Sequence, residues 1–93
     1  MVQVIENRAD IEGRVLAVRP DPDRPQHNIV TIVADIIASV GDYPNMFSKS
    51  SGSPLAVILP AHLTEHLRPG EIVLCRLRRT SPTTVVGESC RPK

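Results

Sequence analysis

The chain has 93 residues and a mass of 10.2 kDa, which is enough for one domain and too little for two. Hydrophobic residues make up 41% of it, which excludes an intrinsically disordered chain. The formal net charge of +1 excludes attraction to a polyanion through overall charge alone. Because the sequence has neither a long apolar run nor a basic and then apolar N-terminal segment, we expect a cytoplasmic protein with no membrane partner.

Two long strands are predicted in the first half of the chain, over residues 11–18 and 27–40, because both segments are rich in valine and isoleucine. Gly13 predicts a bulge or bend in the first strand. Residues 19–25 contain three prolines and predict an exposed loop. The second strand is expected to bend part-way and to bury its even-numbered apolar face, which consists of Val30, Ile32, Ala34, Ile36 and Ala38.

The second half of the chain changes from turn-forming residues to shorter apolar segments. Leu59, Leu63 and Leu67 recur every four residues, which predicts a two-turn helix that Pro69 and Gly70 end. The predicted elements in chain order are a flexible loop at residues 41–54, a strand at 55–59, the helix at 60–68, strands at 71–79 and 84–88, and a loose tail at 89–93.

This order of elements resembles the OB (oligonucleotide/oligosaccharide-binding) fold across residues 10–89, as do the position of Gly13 and the Pro69-Gly70 pair before the fourth strand. The resemblance implies an all-β protein with a five-stranded Greek-key barrel and one short helix between strands 3 and 4. It also implies a single domain over residues 1–93, in which the first strand pairs with the fourth. The alternative is an SH3-like barrel, and that interpretation gives little importance to a helix before the fourth strand.

The charges of the chain are divided unevenly, and this division gives the main prediction about function. Residues 1–67 carry 5 basic and 8 acidic side chains, whereas residues 68–93 carry 6 basic and 2 acidic ones. Arginine suits bidentate contacts to phosphate. We therefore predict a non-enzymatic binding module that contacts single-stranded DNA or RNA, with backbone phosphates on Arg14, Arg76, Arg78 and Arg79 and bases on Tyr43, Phe47 and Lys49.

Two other interpretations remain open for the same residues. The arginines of the fourth strand also suit a charged surface that keeps the protein in solution. Tyr43, Met46 and Phe47 also suit a loop that orders against a protein partner. The alternative function is therefore a protein–protein interaction or assembly subunit that uses residues 41–54 or an exposed strand edge.

Catalytic and metal-binding patterns are weak in this sequence. His62 and His66 lie in an H-x-x-E-H pattern, which on a longer helix would bind zinc, and we expect both histidines to be solvated. Asp21 and Asp23 lie between prolines and are interpreted as turn residues. We predict no catalytic residues, no metal and no cofactor.

Cys75 and Cys90 are the two cysteines of the chain. In a cytoplasmic protein we expect both to be reduced. If the hairpin of the last two strands turns at residues 82–83, the two cysteines face each other, and a disulfide is the less favoured alternative.

Overall fold

Five β-strands form the regular structure of residues 5–93, which are the residues that the computed structural model describes. The strands are β1 (Ala9–Pro20), β2 (His27–Ser39), β3 (Pro54–Pro60), β4 (Ile72–Ser81) and β5 (Thr84–Pro92). They form one closed barrel in the order β1-β2-β3-β5-β4. The all-β prediction is confirmed. Residues 1–4, which belong to the predicted domain, lie outside the described residues.

The barrel closes through two pairings that are not between neighbours in sequence. The first half of β1 pairs antiparallel with β4, from Ala9 opposite Leu77 to Arg14 opposite Ile72. β3 and β5 pair in parallel over a short stretch, at Val57 opposite Val85. The expected pairing of the first and fourth strands is therefore present.

Two glycines permit the close approach of strands that this closure requires. A Cβ atom at Gly87 on β5 would meet the side chains of Leu59 and Val57 on β3. A Cβ atom at Gly13 would meet the carbonyl oxygen of Val33 and the side chain of Ile32 on β2. The predicted bulge near Gly13 is confirmed by a shift of register between Glu12 and Gly13.

This register shift changes which residues of β2 face the core. Glu12 lies opposite Ile36 and Gly13 lies opposite Ala34, so that Asp35 has no partner on β1. One extra residue moves all later side chains to the opposite face. Ile36 is 56% exposed and Ala38 is also exposed, so the prediction that these two residues belong to the core is wrong. Val30, Ile32 and Ala34 are buried as expected.

The predicted helix and the predicted tail both differ from the structure. The helix is a single turn of 3₁₀-helix over Ala61–Leu63. Leu59, the first residue of the leucine repeat, is a buried residue of β3 and does not belong to a helix. Residues 89–92 were expected to be loose, but β5 continues through them to Pro92 because they pair with β4.

The interior of the barrel is aliphatic, apart from one aromatic ring. Phe47, from the loop between β2 and β3, is the largest fully buried side chain among the described residues. Its ring packs with the core residues of the strands and anchors the loop to the barrel. Tyr43 in the same loop is 40% exposed.

Cys75 and Cys90 form a disulfide between β4 and β5. The two residues lie directly opposite each other, as the position of the hairpin turn suggested. The expectation of two reduced thiols is therefore wrong. Because disulfides are typical of oxidising compartments, the cytoplasmic location remains a prediction. No helix within residues 5–93 has the length and apolar character needed to cross a membrane.

Candidate functional site

Asn7 joins the segment before β1 to the end of β4. Its buried side chain donates from Nδ2 to the carbonyl oxygen of Arg79 at 3.0 Å and accepts at Oδ1 from the amide of Arg79 at 2.8 Å. These two hydrogen bonds continue the pairing of the two segments beyond the strands. They place Arg8, the residue that follows Asn7, beside the arginines of β4.

The result is a pocket whose lining includes three arginines. It has a volume of about 320 Å³, and we name it the arginine pocket. Its lining residues are Ile5, Glu6, Asn7, Arg8, Arg78, Arg79 and Thr80. Arginine side chains at a pocket are suited to binding an anion.

Arg8 is held by carboxylates and by a ring. It donates two hydrogen bonds to Glu88, at 2.7 and 3.0 Å, and one to Glu6 at 3.0 Å. The hydrogen bond to Glu88, and after it the one to Glu6, raises the pKa of the Arg8 guanidinium above its usual value. The guanidinium carbon also lies 4.5 Å from the centre of the Tyr43 ring.

Arg78 and Arg79 have weaker contacts with acidic groups. The contact of Arg78 with a carboxylate is from Nε to Oε2 of Glu88 at 3.6 Å, which is too long for a hydrogen bond. Its Nε atom is buried without a hydrogen-bond partner within residues 5–93. Arg79 donates to the carbonyl oxygens of Met46 and Pro82, each at 3.3 Å. These two guanidinium groups therefore have more capacity for an anion than Arg8 has.

The guanidinium group of Arg79 also stacks on an aromatic ring, which holds it in position. Its guanidinium carbon lies 4.8 Å from the centre of the Phe47 ring. Because Phe47 is fully buried, its ring has no face available to a nucleic-acid base. The predicted role of Phe47 in base stacking is replaced by this contact with Arg79.

The other predicted residues lie outside the arginine pocket. Arg76 is bound to Asp10 by hydrogen bonds of 2.8 and 3.1 Å, which raise the pKa of Arg76 and neutralise much of its charge. Arg14 lies four residues beyond Asp10 on β1, about 13 Å along an extended strand. Lys49 is exposed in the loop after β2. Neither Arg14 nor Lys49 forms an ion pair with a carboxylate in the described part of the chain.

The structure thus brings together Arg78, Arg79, Tyr43 and Phe47, and it adds two residues that the sequence analysis missed. Arg8 and Asn7 precede both the predicted first strand and β1, which starts at Ala9. The alternation of Arg8, Asp10 and Glu12 was the available signal, because charges at every second residue indicate the outer face of a strand.

The histidine pair and the two aspartates between prolines belong to the segments that connect strands. The 3₁₀ turn ends at Leu63, so the spacing of His62 and His66 does not place them on one α-helical face, and both are exposed. Asp21 accepts a hydrogen bond from the amide of Asp23 at 2.9 Å, which confirms its role in a turn. Within residues 5–93, no three His, Cys, Asp or Glu side chains are grouped so that they could hold a metal ion.

Comparison of the chain with protein-family models, curated proteins and solved structures found no match.

Proposed function

We propose that this chain is a non-enzymatic binding module of the OB type and that it contacts single-stranded nucleic acid through the arginine pocket. The strand order supports this proposal, since a five-stranded barrel with the first strand paired to the fourth agrees with the OB resemblance. The observation that carries the proposal is the pair Arg78 and Arg79, which have no hydrogen-bonded carboxylate within residues 5–93 and which line one pocket with Arg8.

Backbone phosphates are the groups that these arginines are suited to bind. A guanidinium group offers several N–H donors, and phosphate oxygens accept such bonds in bidentate geometry. The side chain of Arg79 is held in place before a ligand binds. It lies on the ring of Phe47, and its Nε and one terminal nitrogen donate hydrogen bonds to backbone carbonyl oxygens. Such preorganisation reduces the entropy lost on binding.

Tyr43 is the residue that we assign to base stacking. It is 40% exposed and lies against Arg8, which lines the arginine pocket. Stacking of one base on an aromatic ring contributes about 1–3 kcal/mol. With one exposed ring and nearby carboxylates, the site is suited to a few nucleotides and to weak, salt-sensitive binding.

The position of the pocket agrees only in part with the usual OB site. OB folds bind oligonucleotides on the face of strands 2 and 3 and with the loops that follow strands 1 and 4. Here the arginines lie at the start of β1 and the end of β4, next to the turn at residues 82–83. We therefore assign phosphate contacts to this part of the barrel and no base contacts to the face of β2 and β3.

Fluorescence anisotropy with labelled single-stranded DNA and RNA tests the proposal. Oligonucleotides of about 10 nucleotides are suitable, because one OB fold covers about 4–16 nucleotides. Changing Arg78→Glu and Arg79→Glu together is expected to weaken binding at least about tenfold and to reduce its dependence on salt between about 50 and 200 mM.

The matched control places the same change of charge elsewhere on the protein. Arg19→Glu with Arg68→Glu changes two exposed arginines that do not line the arginine pocket. This control is expected to retain most of the binding. Equal losses in the two double variants, or no binding by the wild type at low salt, would overturn the proposal.

Assembly through a strand edge, the alternative function, is supported by a different part of the surface. At the end of β2, Ile36 and Ala38 are exposed apolar side chains that lie outside the arginine pocket.

A further inference from the structure

The two parts of β5 differ in how many strands they contact. Val85 and Val86 pair with β4 on one side and with β3 on the other. Beyond Gly87, β5 pairs with β4 alone within residues 5–93. We name residues 88–92 the β5 end. On the side away from β4, its peptide groups have no strand to pair with, so this segment is held less firmly than the rest of β5.

The side chains of the β5 end contribute little to the packing of the barrel. Cys90 is the one side chain of this segment that packs against the core, and the other four are exposed. Lys93, the next residue, adds an ion pair with Glu12 at 2.9 Å, and such a pair at the surface contributes little. The disulfide from Cys90 to Cys75 is the one covalent cross-link of the chain, and it joins the β5 end to the barrel.

Glu88 connects the β5 end to the arginine pocket. Its carboxylate accepts two hydrogen bonds from Arg8, at 2.7 and 3.0 Å, and lies 3.6 Å from Nε of Arg78. In the described part of the chain Glu88 has no partner on β4, because β5 has a bulge between Gly87 and Ser89. The position of its carboxylate is therefore set by the residues on both sides of it, and one of those sides is the segment that carries the disulfide.

We propose that the disulfide is a redox-sensitive lock, which holds Glu88 against the arginines of the pocket when it is formed and releases it when it is reduced. Without the cross-link, the β5 end separates from β4, because the ion pair of Glu88 with Arg8 is too weak to hold the segment alone. Arg8 and Arg78 are then free to bind phosphate. The effect on nucleic acid rests on the proposed function, whereas the release of the β5 end does not.

The reduction is a thiol–disulfide exchange with a dithiol. One thiolate of the dithiol attacks Sγ of Cys90, which is less buried than Cys75, so the bond between the two cysteine sulfurs breaks and Cys75 leaves as a thiolate. The second thiolate of the dithiol then attacks the reagent's own sulfur in the mixed disulfide and releases Cys90. The dithiol loses two electrons and becomes a disulfide, and each cysteine takes up one proton.

Amide hydrogen exchange of the wild type, with and without dithiothreitol, tests the release of the β5 end. Reduction is expected to make exchange at the β5 end at least about tenfold faster and to leave β1 and β2 nearly unchanged. The Nε–Hε signal of Arg8 should shift at the same time, because its hydrogen bond to Glu88 opens. Equal increases in all strands, or no increase at the β5 end, would overturn the proposal.

A variant without the cross-link is the control for the reagent. Cys75→Ser with Cys90→Ser is expected to show the fast exchange at the β5 end without dithiothreitol and no further change when it is added. Cys75→Ala with Cys90→Ala replaces this variant if a buried hydroxyl group prevents folding. A control that responds to dithiothreitol as the wild type does would show that the disulfide is not the lock.

Fluorescence anisotropy with single-stranded DNA tests the connection through Glu88. Reduction is expected to tighten binding by the wild type a few-fold and to leave binding by Glu88→Gln nearly unchanged, because that variant already lacks the carboxylate charge. Glu65→Gln is the matched control and should respond to reduction as the wild type does. Equal tightening in Glu88→Gln and the wild type would overturn the role of Glu88. Absence of binding in every form would overturn the proposed function, and hydrogen exchange would then decide alone whether the lock exists.

Discussion

The two ends of the barrel both carry arginines, and they differ in what those arginines contact. At one end, which we name the pocket end, the start of β1 meets the end of β4, and Arg8 and Arg79 lie over the rings of Tyr43 and Phe47. At the other end, which we name the β1–β2 loop end, Arg24 contacts Asp21 at 3.2 Å. The chain has no further tyrosine, phenylalanine or tryptophan to stack on these arginines.

Under the proposed function, the way in which the arginine side chains are held matters more than their number. Ion pairs and stacking hold the side chains of Arg8 and Arg79 at the pocket end. Arg19 and Arg68, toward the β1–β2 loop end, are exposed. Flexible side chains lose more conformational entropy when they bind a ligand. Substitutions at each end can therefore test whether the fixed arrangement is what distinguishes the pocket end.

The largest expected effect is that of Phe47→Ala on stability. Removing the buried ring leaves a cavity at the pocket end and is expected to lower the free energy of unfolding by about 3–5 kcal/mol. It also removes the surface on which Arg79 lies. Urea unfolding measures the loss, and Tyr43→Ala is the control because its partly exposed ring should change stability far less. Similar losses in both variants would contradict the assigned positions of the two rings.

Asn7→Ala is expected to have the next largest effect. It leaves the amide and the carbonyl group of Arg79 without their partner, which typically costs about 1–3 kcal/mol for a buried group. Amide hydrogen exchange should then increase at Arg79 and not in the β1–β2 loop. Unchanged exchange at Arg79 would show that Asn7 does not hold the pocket end together.

Glu88→Gln tests whether the affinity for single-stranded DNA depends on the pocket end. Glu88 binds Arg8 and lies near Arg78, so its neutralisation releases two guanidinium groups for phosphate. Binding of single-stranded DNA is expected to become a few-fold tighter in fluorescence anisotropy. Glu65→Gln, which makes the same change at an exposed residue after the 3₁₀ turn, should leave affinity nearly unchanged. Equal effects of the two variants would mean that overall charge alone determines binding.

The smallest expected effect is on the stability of the protein at acidic pH, and it involves Asp21 at the β1–β2 loop end. The hydrogen bond from the amide of Asp23 is the main cause that lowers the pKa of Asp21 below its usual value. A lowered pKa in the folded state means that Asp21 stabilises the protein above the pKa of the unfolded chain and loses this contribution as the pH falls. The melting temperature of Asp21→Asn should therefore fall less than that of the wild type between about pH 6 and pH 3. Parallel curves for the two proteins would contradict this assignment.

Much of the fold was predictable from the sequence, because β-branched segments and turn residues are local signals. The order of the strands along the chain followed from these segments. The opposition of Cys75 and Cys90 followed from the position of the last hairpin turn. The 3₁₀ turn was mistaken for a longer helix because Leu59 continues the leucine spacing while it belongs to β3. A helix of two turns has little stability of its own, so tertiary packing decides its length.

The site and the exposed end of β2 were less predictable, because both depend on long-range register. The extra residue at Asp35 exposes Ile36 and Ala38, and no local pattern indicates where such a bulge lies. Arg8 joins Arg78 only because Asn7 hydrogen-bonds to a residue 72 positions later in the chain. The signal for this contact is a single asparagine, a residue type that sequences contain in many other roles.

An NMR titration of the arginine Nε–Hε signals with a short single-stranded oligonucleotide tests the central claim most directly, because it observes the arginines of both ends in one sample. The account predicts that the signals of Arg8, Arg78 and Arg79 shift as the oligonucleotide is added, and that those of Arg19 and Arg68 do not. Unchanged signals in the arginine pocket, or larger shifts toward the β1–β2 loop end, would contradict it.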